Sequence, residues 1–370
     1  MAMKRLPLPR HHVPVEIILE GEHETVIAAG HKHLTSLNFQ NTTSVEISVP
    51  WSEPRPSEDR NFNITVVHKR EADMFFLCGT NGMKTLCCDM IPQTVISTLH
   101  TLDPERMLAS TSSGKTELLR EDTVKVDRGG SKNILQFSWT SQMNARLSCG
   151  HADSRQHFSE LVDVTTVHAE QWEQTRIYAL FRNEWGMSAV CVYTIEDIEQ
   201  IFKTSPFKDA DEQTGRPREC VADSTKIQKN VLKMIQMNSE MKESVQPVDN
   251  SGPLLSNHHL YTHIHVHGSP NNRHPTVLFL SLNNGAIHKV MQDESRTFVI
   301  AEYQPFNHRA HVVSIRLDPP SRKLYVSSRT EVVQLNVANC SQYGDSCELC
   351  VLARDPYCGW DGTRCTPETE

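Results

Sequence analysis

Cysteine decides what the end of this chain can be. The segment CSQYGDSCELCVLARDPYCGWDGTRC, from Cys340 to Cys365, holds five of the chain's eleven cysteines. Its Asp355–Gly362 run is rich in turn formers, carries the aromatics Tyr357 and Trp360, and has almost no aliphatic residues. A unit this short buries too little apolar surface to hold itself, so disulfides or a metal must close it. Cys347, Cys350, Cys358 and Cys365 offer four thiolates for zinc, but only Cys347-Glu-Leu-Cys350 has knuckle spacing. Cys340 has no part in a zinc set, whereas a disulfide set uses it. Disulfides would place the chain outside the reducing interior of a cell.

The remaining composition narrows the classes. The 370 residues suffice for one large domain or two to three small ones. A formal charge of −8 with dispersed Lys and Arg argues against a nucleic-acid partner. The N-terminal Met-Ala-Met-Lys-Arg-Leu-Pro run is followed by Pro9, Arg10, His11 and His12 rather than an apolar core, so it does not read as a signal peptide. No apolar run reaches the length of a membrane-spanning helix, and the Thr-Pro-Glu-Thr-Glu terminus has no lipidation signal. Asn41, Asn63 and Asn339 head glycosylation sequons, the third with Cys340 in its middle.

From about residue 24 apolar runs alternate with Gly or Asn turns. Thr25–Gly30 leads to Leu34–Phe39, and Met74–Gly79 meets a turn at Asn81-Gly82. Ile177–Phe181 turns at Trp185-Gly186 into Ser188–Thr194. Val277–Ser281 turns at Asn283-Asn284-Gly285 into Ala286–Met291, and Lys323–Ser327 continues to Val332–Leu335. Such pairs predict β-hairpins. Several lie about fifty residues apart, the period of a propeller blade, although a sandwich also spaces hairpins evenly. Residues 90–135 are polar and poor in strand signals. Residues 203–257 are charged and punctuated by Pro206, Pro217, Pro247 and Pro253, with helical spacing over Ser224–Glu243. The second stretch predicts an insertion with one amphipathic helix, packed on the main domain or used as a dimer contact.

Three motifs invite sharper chemistry. Ala109-Ser-Thr-Ser-Ser-Gly114-Lys115-Thr116 fits a relaxed phosphate loop, but Arg106-Met-Leu before it is hardly a strand and Glu117–Asp122 is too short a helix. His263, His265 and His267 alternate with Ile264 and Val266, which on a strand puts three imidazoles on one face. Zinc or copper could sit there. The blander reading is the solvent face of a strand whose other face packs the core, and it is preferred, so no metal is assigned. No catalytic constellation, and so no enzyme activity and no cofactor, is expected.

Arg354-Asp-Pro-Tyr-Cys-Gly-Trp-Asp361, set in Cys-x6-Cys-x2-Cys-x7-Cys-x6-Cys, resembles the plexin-semaphorin-integrin (PSI) knot that follows a semaphorin domain. Upstream, Cys78-Gly-Thr-Asn81, Trp139-Thr-Ser141, Ala145-Arg-Leu-Ser-Cys149 and Ser188-Ala-Val-Cys-Val-Tyr193 are family-like. So are Arg216-Pro-Arg-Glu-Cys220, Gly285–Val290 and Leu324–Ser328. Ala286-Ile-His-Lys-Val290, Tyr303-Gln-Pro-Phe306 and Arg322–Ser328 are most similar to the class 7, GPI-anchored semaphorins.

The resemblance implies an all-β chain with three parts: an N-terminal tail over 1–22, a β-propeller over 23–337 with a helical extrusion at about 203–257, and a PSI knot, itself cut short, over 338–370. It implies disulfides Cys78–Cys87, Cys149–Cys191, Cys340–Cys358 and Cys350–Cys365. It implies an extracellular or cell-surface ligand, homodimeric, that binds plexins, those of class C in particular, and regulates axon growth and cell migration. The chain also departs from the family. Cys220 lacks its usual partner near Val124–Val126, Cys347 normally pairs beyond residue 370, and Cys88 is additional. An early cysteine pair before Asn61 is missing, and about two of the seven blades' worth of sequence is absent between Cys88 and Val124. Where class 7 carries the integrin-binding Arg-Gly-Asp, this chain has Val126-Asp-Arg-Gly-Gly130. The competing expectations are a non-functional fragment or splice form without a closed propeller, and the phosphate-loop nucleotide binder.

Overall fold

The computed structural model describes residues 3–10, 14–19, 24–49, 63–69, 74–81, 85–91, 96–100, 134–135, 140, 143–150, 157–208, 223–268, 275–293 and 296–368. The architecture is all-β, of propeller type, with five four-stranded antiparallel sheets among those residues. In chain order, β1 (Met3–Pro7) is followed by β2 (Pro14–Leu19), β3 (Thr25–Gly30), β4 (His33–Asn38) and β5 (Thr43–Ser48). Then come β6 (Asn63–Lys69), β7 (Phe75–Thr80), β8 (Thr85–Ile91) and β9 (Ile96–His100). After them stand β10 (Glu160–Val167), β11 (Arg176–Arg182), β12 (Ser188–Thr194), helices α1 (Ile195–Thr204) and α2 (Lys229–Met237), and β13 (Leu255–Asn257). The next sheet is β14 (Tyr261–His267), β15 (Thr276–Leu282), β16 (Ile287–Asp293) and β17 (Arg296–Tyr303). The chain closes with β18 (Ser314–Asp318), β19 (Lys323–Ser327), β20 (Glu331–Asn336), α3 (Cys347–Leu352), β21 (Cys358–Trp360) and β22 (Cys365–Pro367).

Two compact units divide these elements. The first holds four sheets: β2–β5, β6–β9, β14–β17, and β18–β20 completed by β1. Within it, β14 lies beside β18, β18 beside β2, and β3 beside β6, so the sheets follow one another face to face. Apolar side chains fill each gap: Leu6, Ile17, Val26, Phe39 and Tyr325 in one, Ile27, Leu34, Phe75, Leu77 and Met90 in the next. Central strands are therefore covered on both faces, which is why β15 reads Thr-Val-Leu-Phe-Leu-Ser-Leu and is buried throughout. Its hairpin to β16 turns on Gly285, at φ +95°. A Cβ there would stand 2.7 Å from the Ala310 carbonyl oxygen, so only glycine fits. In β2, β6, β10 and β14, the first strands of four sheets, the register shifts once near the strand's start. Such bulges bend a strand and increase its twist.

The second unit contains β10–β13, the Cys149–Cys191 disulfide and both longer helices. Thr194 caps α1, its hydroxyl accepting from Asp197 N at 3.1 Å, and Ile195, Ile198 and Ile201 pack on Ile177, Cys191 and Tyr193. Residues 239–245 are clasped on two sides. Residues 144–148 bond to them through Asn144, Arg146 and Ser148, and residues 206–208 through Pro206 O and Lys208 N. Glu240 adds ion pairs to Arg146 and to Lys208.

Several expectations change. Residues 1–22, read as a tail, carry β1 and β2; β1 pairs from Met3↔Leu335 to Pro7↔Glu331. Its proline hides it, yet Pro7 ends an edge strand, where the missing N–H is tolerated. The stretch 90–135, read as poor in strands, contains the end of β8 and all of β9. Helical spacing over 224–243 yields a 3₁₀ turn at Ser224–Lys226 and α2, which ends at Met237. The preceding α1 was not expected at all, although Thr194-x-x-Asp197 is a capping signature. The turn at Asn81-Gly82, the phosphate-loop-like 109–116, Val126–Gly130 and Arg216–Cys220 lie wholly or in part outside the described residues.

Candidate functional site at the knot and its seat

The cysteine-rich segment folds as a small body, with a 3₁₀ turn at Cys340–Tyr343, then α3 and the β21–β22 ribbon. Cys340–Cys358 and Cys350–Cys365 join it internally. In the sheets the structure brings together Cys78 with Cys87 and Cys149 with Cys191. Cys88 is a buried free thiol beside that first bond, pushed up to about 11 by burial and then by Asp89. Cys347 is a free thiol and exposed. Cys220 lies outside the described residues. Asn41 is exposed at the tip of the β4–β5 hairpin, Asn63 is exposed at the start of β6, and Asn339 is half-buried.

The knot sits on β14–β20. Cys340, Cys350, Tyr357, Cys358 and Cys365 share one apolar core with Phe279, Ile287, Tyr303, Leu335 and Val337. At its centre is a charged pair with no exposed surface, Lys289 of β16 and Asp355 of the knot. The Lys289 ammonium donates to Asp355 Oδ1 at 2.6 Å, to Asp355 Oδ2 at 2.7 Å and to the Val337 carbonyl at 2.8 Å. All three of its N–H bonds are thus used. Asp355 also accepts from the Tyr343 hydroxyl at 2.8 Å and from Tyr357 N at 3.0 Å. The carboxylate is therefore fully satisfied, the condition under which a buried ion pair is tolerated.

Tyr357 extends the arrangement. Its ring lies 4.0 Å from the Lys289 ammonium and 4.7 Å from the Arg322 guanidinium, and its hydroxyl shares a 2.8 Å hydrogen bond with His267 Nδ1. Arg354 stacks on Phe298 at 4.3 Å. Burial holds Lys289 down to about 8 against the attraction of Asp355. Burial likewise pushes the hydroxyls of Tyr303, Tyr343 and Tyr357 far above their ordinary range, and the negative charge of Asp355 adds to this at each.

The three histidines of β14 do not share a solvent face. The strand lies beside β18, and each ring is half-buried with different partners. His263 reaches Thr262 and Ser281, His265 Nε2 accepts from Leu317 N at 3.3 Å, and His267 meets Tyr357 and Arg322. A guanidinium 3.3 Å from an imidazole nitrogen opposes a metal cation there. Among the described residues no group of three His, Cys, Asp or Glu is placed to hold a metal. Among them, too, no helix is long and apolar enough to cross a membrane. The Lys289–Asp355 pair escaped the sequence reading. The one signal was a lysine inside the apolar run Ile287-His-Lys-Val-Met291, where charge is buried only if paired.

Comparisons with known proteins agree with this architecture. The Sema domain family matches residues 161–319, and the plexin repeat family matches residues 339–370. Human Semaphorin-7A is 36% identical over 250 residues, covering 65% of this chain and 38% of that protein. Human Semaphorin-4B is 33% identical over 270 residues, covering 65% of this chain and 32% of that protein. The chain thus spans well under half the length of these relatives. Among solved structures, the extracellular domains 1–2 of Drosophila Semaphorin 1a superpose with a TM-score of 0.72 at 18% identity, covering 96% of this chain and 93% of that one. A chain from Drosophila Plexin A in complex with Semaphorin 1b gives 0.71 at 18% identity, covering 98% and 92%. At such identities these likenesses speak for the fold alone. Propeller-type sheets thus carry a Sema domain with a plexin repeat directly behind it, and the chain is similar to semaphorins over 65% of its length.

Proposed function

We propose that this chain is an extracellular signalling ligand that binds a plexin through its semaphorin domain, and thereby regulates axon growth and cell migration. The observation that carries the reading is a cysteine-rich knot seated by a buried ion pair on propeller-type sheets. It supplies a broad, rigid scaffold whose loops are free to specify a protein partner. The solved Plexin A–Semaphorin 1b complex supports a plexin as that partner. The similarity to Semaphorin-7A favours a plexin of class C. Four disulfides support an oxidising, extracellular setting. Exposed Asn41 and Asn63 fit glycan attachment there. The reading assigns no catalytic step and no cofactor to the chain. Residues 203–257 act as the extrusion, and α2, with Met237 82% exposed, supplies the contact for a second copy. Integrin recognition through Arg-Gly-Asp has no counterpart in Val126–Gly130.

The test is titration of purified chain over immobilised plexin ectodomains of each class. Saturable binding is expected for class C, stronger than for the others. Absence of saturable binding to every plexin would refute the proposal, and light scattering on the same sample reads the dimer.

A further inference from the structure

The knot is bound covalently to itself and not to the sheets. Both of its disulfides are internal, and the chain enters it from β20 through Val337, Ala338 and Asn339. Tyr357 meets His267 and Arg322, and Arg354 meets Phe298, but one side chain bonds both the connection and the knot. Lys289, rooted in β16, holds the Val337 carbonyl and the Asp355 carboxylate together. We propose that Lys289 is the latch of a hinge at Val337–Asn339, so that the knot opens and closes on the sheets as one disulfide-bound body.

Three observations carry this. Every hydrogen-bonding position of the ammonium is committed, two to the knot and one to the hinge, so its loss frees both at once. An ion pair shielded from water discriminates sharply between docked and undocked positions, because removing one partner strands the other in a low-dielectric seat. The third is Tyr303, 4% exposed at the edge of the seat, whose hydroxyl finds no hydrogen-bond partner among the described residues. A buried hydroxyl without a partner raises the free energy of the closed form and so lowers the cost of opening.

Hydrogen exchange on the full chain tests the latch. The reporters are knot amides bonded within the knot: Cys350, Ala353, Cys358 and Glu368. In Lys289→Met they should exchange faster, on the order of a hundredfold, while amides of β3 and β4 keep their rates and both knot disulfides persist. In Lys289→Met with Asp355→Leu, which leaves no stranded charge, knot protection should return to within about tenfold of the parent. Unchanged knot exchange in Lys289→Met, or acceleration of β3 and β4 in step with the knot, overturns the proposal. If that variant does not fold, the parent chain decides. Its knot amides should share one opening reached at lower denaturant than the opening of β18–β20. Exchange of the two only together, by global unfolding, would equally overturn it.

Discussion

Single side chains tie distant stretches of this chain together, and charge is how they do so. Glu24, at the start of β3, accepts from Lys323, Lys4 and Gln334, residues of β19, β1 and β20. The Lys323 and Gln334 hydrogen bonds hold its carboxyl down to about 2, against the opposing effect of burial. A carboxylate lowered on folding contributes stability above its unfolded pKa of about 4.5 and loses it as pH falls toward 2. Glu24→Gln should therefore be less stable than the parent at neutral pH, with the two converging as pH falls from about 4.5 to 2. Denaturation midpoints measured across that window check it, and a constant gap between the two proteins would contradict it. Part of the seat was readable at this scale too. The cysteine spacing and Arg354–Asp361 marked the knot, but nothing local marks Asp355 as the partner of Lys289, which lies 66 positions away. Pairings of that kind are set by tertiary packing, which a local pattern does not carry.

At the level of elements, burial decided what could be read. Strands covered on both faces, such as Val277–Leu282, announce themselves as unbroken apolar runs, and the turns at Gly186 and Gly285 punctuate them. Elements with one face outward are less visible. Helix α1 follows β12 without a break, and its isoleucines continue the apolar character of the strand. What ends the strand is the cap. Thr194 has extended backbone, and its hydroxyl takes the Asp197 N–H, while Glu196 and Asp197 oppose the positive end of the helix. Thr194→Ala should cost about 1 kcal/mol and weaken the hold of Ile198 and Ile201 on the sheet beneath. A reduced midpoint, with faster exchange at the α1 amides than in β11, checks this. An unchanged midpoint would mean that packing alone holds the helix.

The first unit is organised by the pairing of its earliest and latest strands. β1 completes the β18–β20 sheet, tying residues 3–7 to residues 331–335 without a covalent bond. The Arg5 guanidinium anchors it further by donating to the Pro305 carbonyl at 2.9 Å. Leu6 and Leu8, 5% and 6% exposed, face the core that also contains Phe39, Tyr325 and Val332. Propeller-type sheets need such an overlap, because a sheet left with three strands exposes an unpaired edge and an uncovered apolar face. This explains why residues 1–22 were misread. A strand that completes someone else's sheet needs only a few inward apolar residues, and its charged Lys4 and Arg5 look like tail. Leu6→Ala leaves the backbone ladder in place but opens a void at the seam, at a cost of about 2–3 kcal/mol. The midpoint should fall accordingly, and the amide of Val333, across the ladder from Arg5, should exchange faster than those of β7 in the same variant. If Leu6→Ala left both midpoint and exchange unchanged, the strand would be an ornament of the fold, and the unit would have to be held together by Glu24 and the sheet-to-sheet cores alone.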